Sequence, residues 1–120
     1  MTKETKILIN LKMNMTEQDF YTLAEAALTK LADDVEKMDK NSALDIEYSD
    51  GILNIVMEST GKTYVINKHS ASQKIWYSSP VSGADYFSFD QDSLKWLDAN
   101  KSELSNKLFT ELTQLIQINR

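Results

Sequence analysis

The sequence predicts an α+β fold in which two helices cover one face of an antiparallel sheet of five to six strands. Three observations carry it: a long helical apolar period near the start, short strand-like runs broken by turn residues in the middle, and a second helical period at the end. Helices segregated to the two ends of a run of hairpin-linked strands bury their apolar faces most simply on one side of the sheet.

The first helix opens at Thr16, which can cap it with Asp19 three residues on. Met15 and Phe20 stand at the two positions of a hydrophobic staple. Phe20, Leu23, Ala24, Ala27, Leu28, Leu31, Val35 and Met38 recur at helical spacing and predict a helix ending near Met38. At roughly 100° per residue, Glu25, Asp33, Glu36 and Asp39 fall on a different face, a carboxylate stripe. Leu44, Ile46 and Tyr48 then alternate with Asp45, Glu47 and Ser49, and Asp50-Gly51 is a hairpin signal leading into Ile52 to Glu58. Asp45 and Glu47 therefore face outward; with this strand at the sheet edge beside the helix, they would extend the stripe into one acidic ridge.

Thr60-Gly61 marks the next turn, followed by strands at Thr63 to Ile66 and Ile75 to Tyr77. Pro80 and Gly83 mark a loop, Tyr86 to Phe89 a fifth strand, and Leu94 to Leu97 a sixth. Asn100, with Glu103 three residues on, reads as a second helix start. Leu104, Leu108, Leu112, Leu115 and Ile116 supply the apolar face of that helix. If Ile75 and Tyr77 point into the core, alternation puts Trp76 on the opposite face, among Asn67, Lys68, Gln73 and Lys74. An indole there is either a contact surface, as aromatic residues at interfaces often are, or a side chain covered by the protein's own loops.

Composition limits the chemistry. The 120 residues read as one domain, 16–120, after a leader, 1–15, whose alternating Ile7, Ile9, Leu11 and Met13 fit a short strand or a disordered segment. That leader has no Arg, which makes it a poor transit peptide. The absence of cysteine removes thiolate catalysis, Cys-ligated zinc and a Cys-bound iron–sulfur cluster within this chain. His69 is the only histidine and reads as a surface polar residue. Only carboxylate sites for hard cations remain. The segment from Glu17 to Asp50 holds ten acids against three lysines, a balance of −7 within a net charge of −5. So acidic a first third argues against nucleic acid and anionic membrane, and favours cations or a basic protein surface. No stretch is long and apolar enough to cross a bilayer.

The run Tyr64-Val65-Ile66-Asn67-Lys68, followed by Ile75-Trp76, Ser78-Ser79-Pro80 and Ser82-Gly83, resembles the central signature of the frataxin family of iron–sulfur cluster assembly proteins. The likeness extends from about Phe20 to about Leu115. His69 and Lys74 stand where the family usually has Gln, and Tyr77 where it has Leu. The resemblance implies a frataxin-like two-layer sandwich and an iron-binding regulator, not an enzyme, docking on a cysteine desulfurase and its scaffold protein. On this reading Glu25, Asp33, Asp34, Glu36, Asp39, Asp45 and Glu47 bind iron weakly at the surface. Glu25, Asp33 and Glu36 also meet the basic partner, while the sheet face with Asn67, Lys68, Gln73 and Trp76 meets the rest of the complex. The other reading of the stripe is a solvated helix face that only keeps the protein soluble. A second function stays open beside regulation: iron storage or ferroxidase-type handling by an iron-dependent oligomer instead of a monomer. The implied compartment is the mitochondrial matrix or a mitochondrion-derived organelle, with the bacterial cytoplasm as alternative.

Overall fold

The structure, a computed structural model, describes residues 15–118. The strand or leader read over residues 1–15 lies outside them except for Met15. Two helices, α1 (Glu17–Met38) and α2 (Leu104–Ile118), flank six strands: β1 (Leu44–Ser49), β2 (Ile52–Met57), β3 (Thr63–His69), β4 (Lys74–Ser79), β5 (Gly83–Asp90) and β6 (Lys95–Leu97). The strands pair antiparallel in sequence order, leaving β1 and β6 at the edges. Every connection is local, as a meander of hairpins requires.

Helix α1 starts as its sequence predicts. The Thr16 hydroxyl accepts the Asp19 N–H at 3.0 Å, and the Asp19 carboxylate accepts the Thr16 N–H at 3.2 Å. Its apolar stripe, Phe20, Ala24, Leu28, Leu31 and Val35, is buried against the sheet. Leu53, Ile55, Tyr64, Ile66, Ile75, Tyr77 and Phe87 supply the sheet's side of the core, and Leu108 and Leu112 of α2 close it. Both helices therefore lie on one face, and neither covers the other.

Two boundaries differ from expectation. The sixth strand begins at Lys95, one residue later, because Leu94 adopts φ +60 and donates its N–H to the Asp90 carbonyl to close the β5–β6 turn. Helix α2 is capped not by Asn100 but by Glu103, whose carboxylate accepts the N–H groups of Ser105 at 2.8 Å and Asn106 at 3.1 Å. Asn100 instead donates its N–H to Asp98, whose carboxylate also takes the Ser102 N–H and so ties the loop from β6 into α2.

Candidate docking and cation-binding surfaces

The carboxylate stripe is not uniform. Glu25 is engaged: Oε2 accepts the Lys68 ammonium at 2.7 Å and the Tyr48 hydroxyl at 2.6 Å, and the Lys68 nitrogen also sits 3.8 Å from the Tyr21 ring centroid. The Lys68 hydrogen bond, then that of Tyr48, holds the Glu25 carboxyl below its usual range; burial and the Glu25 charge push the Tyr48 phenol up. Lys68 reaches α1 by passing over Gly51, where a Cβ would lie 2.6 Å from its Cε. Gly51 also turns the β1–β2 hairpin at φ +76, so its lack of a side chain serves the turn and the lysine's path together.

Asp39 is likewise occupied, accepting the N–H groups of Ala43 at 2.8 Å and Leu44 at 3.0 Å to start β1. Asp34 pairs with Lys30 at 2.8 Å on the exposed surface. Asp33 and Glu36 are exposed on α1 with no hydrogen bond or ion pair to a described residue, although the Asp33 charge acts on the Lys30 ammonium. Asp45 and Glu47 are exposed on β1, whose inner residues Leu44, Ile46 and Tyr48 face α1. The edge strand does lie beside the helix, but period two turns its two carboxylates to the open face. The acidic residues therefore wrap the β1 edge instead of lining one flank. Among the described residues, no group of three or more His, Asp or Glu side chains could hold a metal ion.

The open face of the sheet carries Trp76. Ile75 and Tyr77 are fully buried toward the helices, and Trp76 between them is half-buried on the far side. It stands opposite Asn67 on β3 and Tyr86 on β5, and its ring meets the exposed Tyr86 ring at 4.8 Å, edge to face. Trp76, Tyr86, Leu97, Lys74 and Lys101 line a groove of about 530 Å³ there.

Two residues assigned to this face do not stand on it as expected. Lys68 shares the register of Tyr64 and Ile66 and points toward α1, where Glu25 takes it. The Gln73 amide donates to the Met15 carbonyl at 2.9 Å, tying the β3–β4 turn to the start of α1. Asn67 stays on the open face, its amide donating to the Lys68 carbonyl at 3.0 Å.

A buried polar cluster went unread in the sequence. Glu111 Oε1 accepts the hydroxyls of Ser79 at 2.6 Å, Tyr77 at 2.8 Å and Tyr64 at 3.0 Å. The Ser79 oxygen accepts the N–H groups of Val81 and Ser82 in turn. Burial alone would raise the Glu111 carboxyl, but the hydroxyls of Ser79, Ser82, Tyr77 and Tyr64 outweigh it and hold it below its usual range. Nearby, Lys107 pairs with Asp85 at 3.2 Å and Asp98 at 3.6 Å, below the rings of Tyr77 and Phe87. These groups fasten α2 to the sheet behind the open face.

Two helices packed on one face of a six-stranded antiparallel sheet make a two-layer α+β sandwich with an acidic edge and an aromatic open face. A family profile for the frataxin-like domain matches residues 13–118, and the chain belongs to the frataxin family. It is 33% identical to the mitochondrial frataxin of Arabidopsis thaliana over 100 residues, 81% of this chain and 53% of that protein. It is 32% identical to the mitochondrial frataxin homolog of Schizosaccharomyces pombe over 85 residues, 68% of this chain and 53% of that protein. The chain thus spans about half the length of these curated relatives. Among solved structures it is similar to a trimeric frataxin of the yeast Saccharomyces cerevisiae in a ferrous complex, with a TM-score of 0.69 and 29% identity over 79% of this chain and 86% of that one. A frataxin from Psychromonas ingrahamii, 18% identical over 85% of this chain and 89% of that one, shares the fold at a TM-score of 0.66.

Proposed function

We propose that this chain is a regulator of iron–sulfur cluster assembly, docking on a cysteine desulfurase–scaffold complex and binding iron weakly on its acidic surface. The observation that carries the reading is the sheet face left open by both helices, with Trp76 packed on Tyr86 and flanked by Asn67. A rigid aromatic anchor on an uncovered sheet suits a protein contact, because it presents large apolar area at little entropic cost. Asp33, Glu36, Asp45 and Glu47 supply the acidic half, which steers a basic partner and gathers ferrous or ferric ions. Asp39 keeps lone pairs beyond its two backbone bonds and adds to the field; Glu25 and Asp34 are neutralised by their lysines. The relatives from plant, amoeba and fission yeast are all mitochondrial frataxins, which supports a mitochondrial location, and we place this chain in the matrix or its equivalent. The other reading, iron handling by an oligomer, draws on the trimeric state and ferrous complex of the yeast relative.

The test is partner affinity. Trp76→Ala and Asn67→Ala are expected to weaken binding to the desulfurase–scaffold complex, the first by about 30-fold, as loss of a central aromatic anchor does. Both should keep the native melting temperature within a few degrees and bind ferrous iron as the native chain does. Native-like affinity in Trp76→Ala would overturn the docking reading. Multi-ion iron binding by a native chain that never binds the complex would favour iron handling.

A further inference from the structure

Resting on the docking reading above, we propose that His69 and Lys74 form a carboxylate-binding corner of the open sheet face. This corner holds an acidic side chain of the partner, and holds it more tightly when His69 is protonated. The two residues are directly opposite in the β3–β4 register, on the same face as Trp76. The Tyr86 ring on β5 is near both: its centroid is 5.6 Å from that of the His69 ring and 5.9 Å from the Lys74 nitrogen.

Among the described residues the corner has no anion paired to it. Ion pairs among the described residues take Lys30, Lys68 and Lys107, and none takes Lys74 or His69. Facing His69 are Lys74 on β4, the Tyr86 phenol on β5 and the Ser72 hydroxyl in the turn. On the β2 side, the turn whose Gly51 carbonyl accepts the Lys68 N–H carries Asp50, which makes no ion pair with His69. Asp90, which lines the groove beside Lys74, is taken by the N–H of Ser93.

Two cations directly opposite each other on a sheet repel. An aromatic ring close to both relieves part of that repulsion, and a carboxylate bridging them relieves more. With no acid of the described residues paired to either cation, the partner is the source of that carboxylate.

The β3–β4 turn accepts either protonation state of the imidazole. His69 Nδ1 lies 2.7 Å from the Ser72 oxygen, which is itself 3.4 Å from the His69 carbonyl. For a neutral ring the hydroxyl donates to Nδ1. For a charged ring Nδ1–H donates to the hydroxyl, whose proton turns to the carbonyl. The turn stays in place while the ring gains charge, so protonation is read by the partner and not by the fold. Nε2 is left for the incoming carboxylate.

The experiment compares the native chain with His69→Gln for affinity to the desulfurase–scaffold complex between about pH 8 and about pH 6, the range in which an imidazole changes charge. The ratio of native to variant affinity is expected to rise about 5–10-fold on acidification, as a new charge-assisted contact gives. The glutamine keeps a polar side chain at the site, and any titration of the partner cancels in the ratio. A ratio that does not change with pH overturns the corner and leaves the docking reading standing. Absence of binding by either protein at every pH overturns the docking reading and the corner with it.

Discussion

Replacing Glu111 by leucine is expected to cost about 3–5 kcal/mol of folding stability, because it strands buried hydroxyls that now share one carboxylate oxygen. Tyr64, Tyr77 and Ser79 all donate to Oε1, and the two tyrosines are almost wholly buried. Ser79 retains its contacts to the Val81 and Ser82 N–H groups, and the phenols keep only the Ser79 hydroxyl in place of the carboxylate. For a domain of this size the loss lowers the melting temperature by roughly 10–20 °C. Glu111→Gln, which keeps an acceptor and loses the charge, should fall between that variant and the native chain. A leucine variant that melts with the native chain would show that the network contributes nothing to stability.

The same cluster sets a pH window. Glu111 is held below its usual range, so its contribution is complete above the ordinary glutamate value, about 4.3, and is lost as pH falls through its folded value. Tyr64 and Tyr77 are pushed up, first by burial, so their contribution is complete below the ordinary phenol value, about 10, and fades as pH rises beyond it. Stability measured by denaturant titration should therefore plateau between these limits, and Glu111→Gln should flatten the acid limb.

Reversing Asp33 and Glu36 to lysine together is expected to weaken docking on the desulfurase–scaffold complex by about 10–100-fold at low salt. Each reversal changes the charge by two units, so the pair takes the net charge from −5 to −1. Both positions are exposed on α1 and make no hydrogen bond or ion pair with a described residue, Asp33 acting on Lys30 only through its charge, so the stability change should stay within about 1 kcal/mol. The difference from the native chain should shrink toward 1 M salt, where the Debye length falls to about 3 Å. Iron binding should fall in parallel. An affinity unaltered at low salt would remove the acidic edge from the docking surface, leaving the open sheet face to account for it alone.

Much of this was legible from local signals. Thr16 with Asp19, the apolar period from Phe20 to Met38, and Asp50-Gly51 each encode their element within a few residues, and the structure follows them. Period two placed Trp76 opposite Ile75 and Tyr77. The same rule, carried two residues past Ile66, would have turned Lys68 toward the helices; its position beside Asn67 in the sequence obscured this. Glu111 also left a trace, as an acid seven residues after Leu104 on the apolar face of α2. Its partners left none, because which phenol meets which carboxylate depends on contacts 32 to 47 residues apart. Glu103 was read as the third residue of a helix that it in fact caps, since the chain first folds around Asp98.

Hydrogen exchange of the chain, free and bound to the desulfurase–scaffold complex, tests the central claim most directly. The account predicts slowed exchange on binding in two places: the β3–β5 segments around Asn67, Trp76 and Tyr86, and the outer face of α1 around Asp33 and Glu36. The α2 segment around Glu111 should be unchanged. Protection confined to the helix layer, with the sheet segments exchanging as in the free chain, would contradict it.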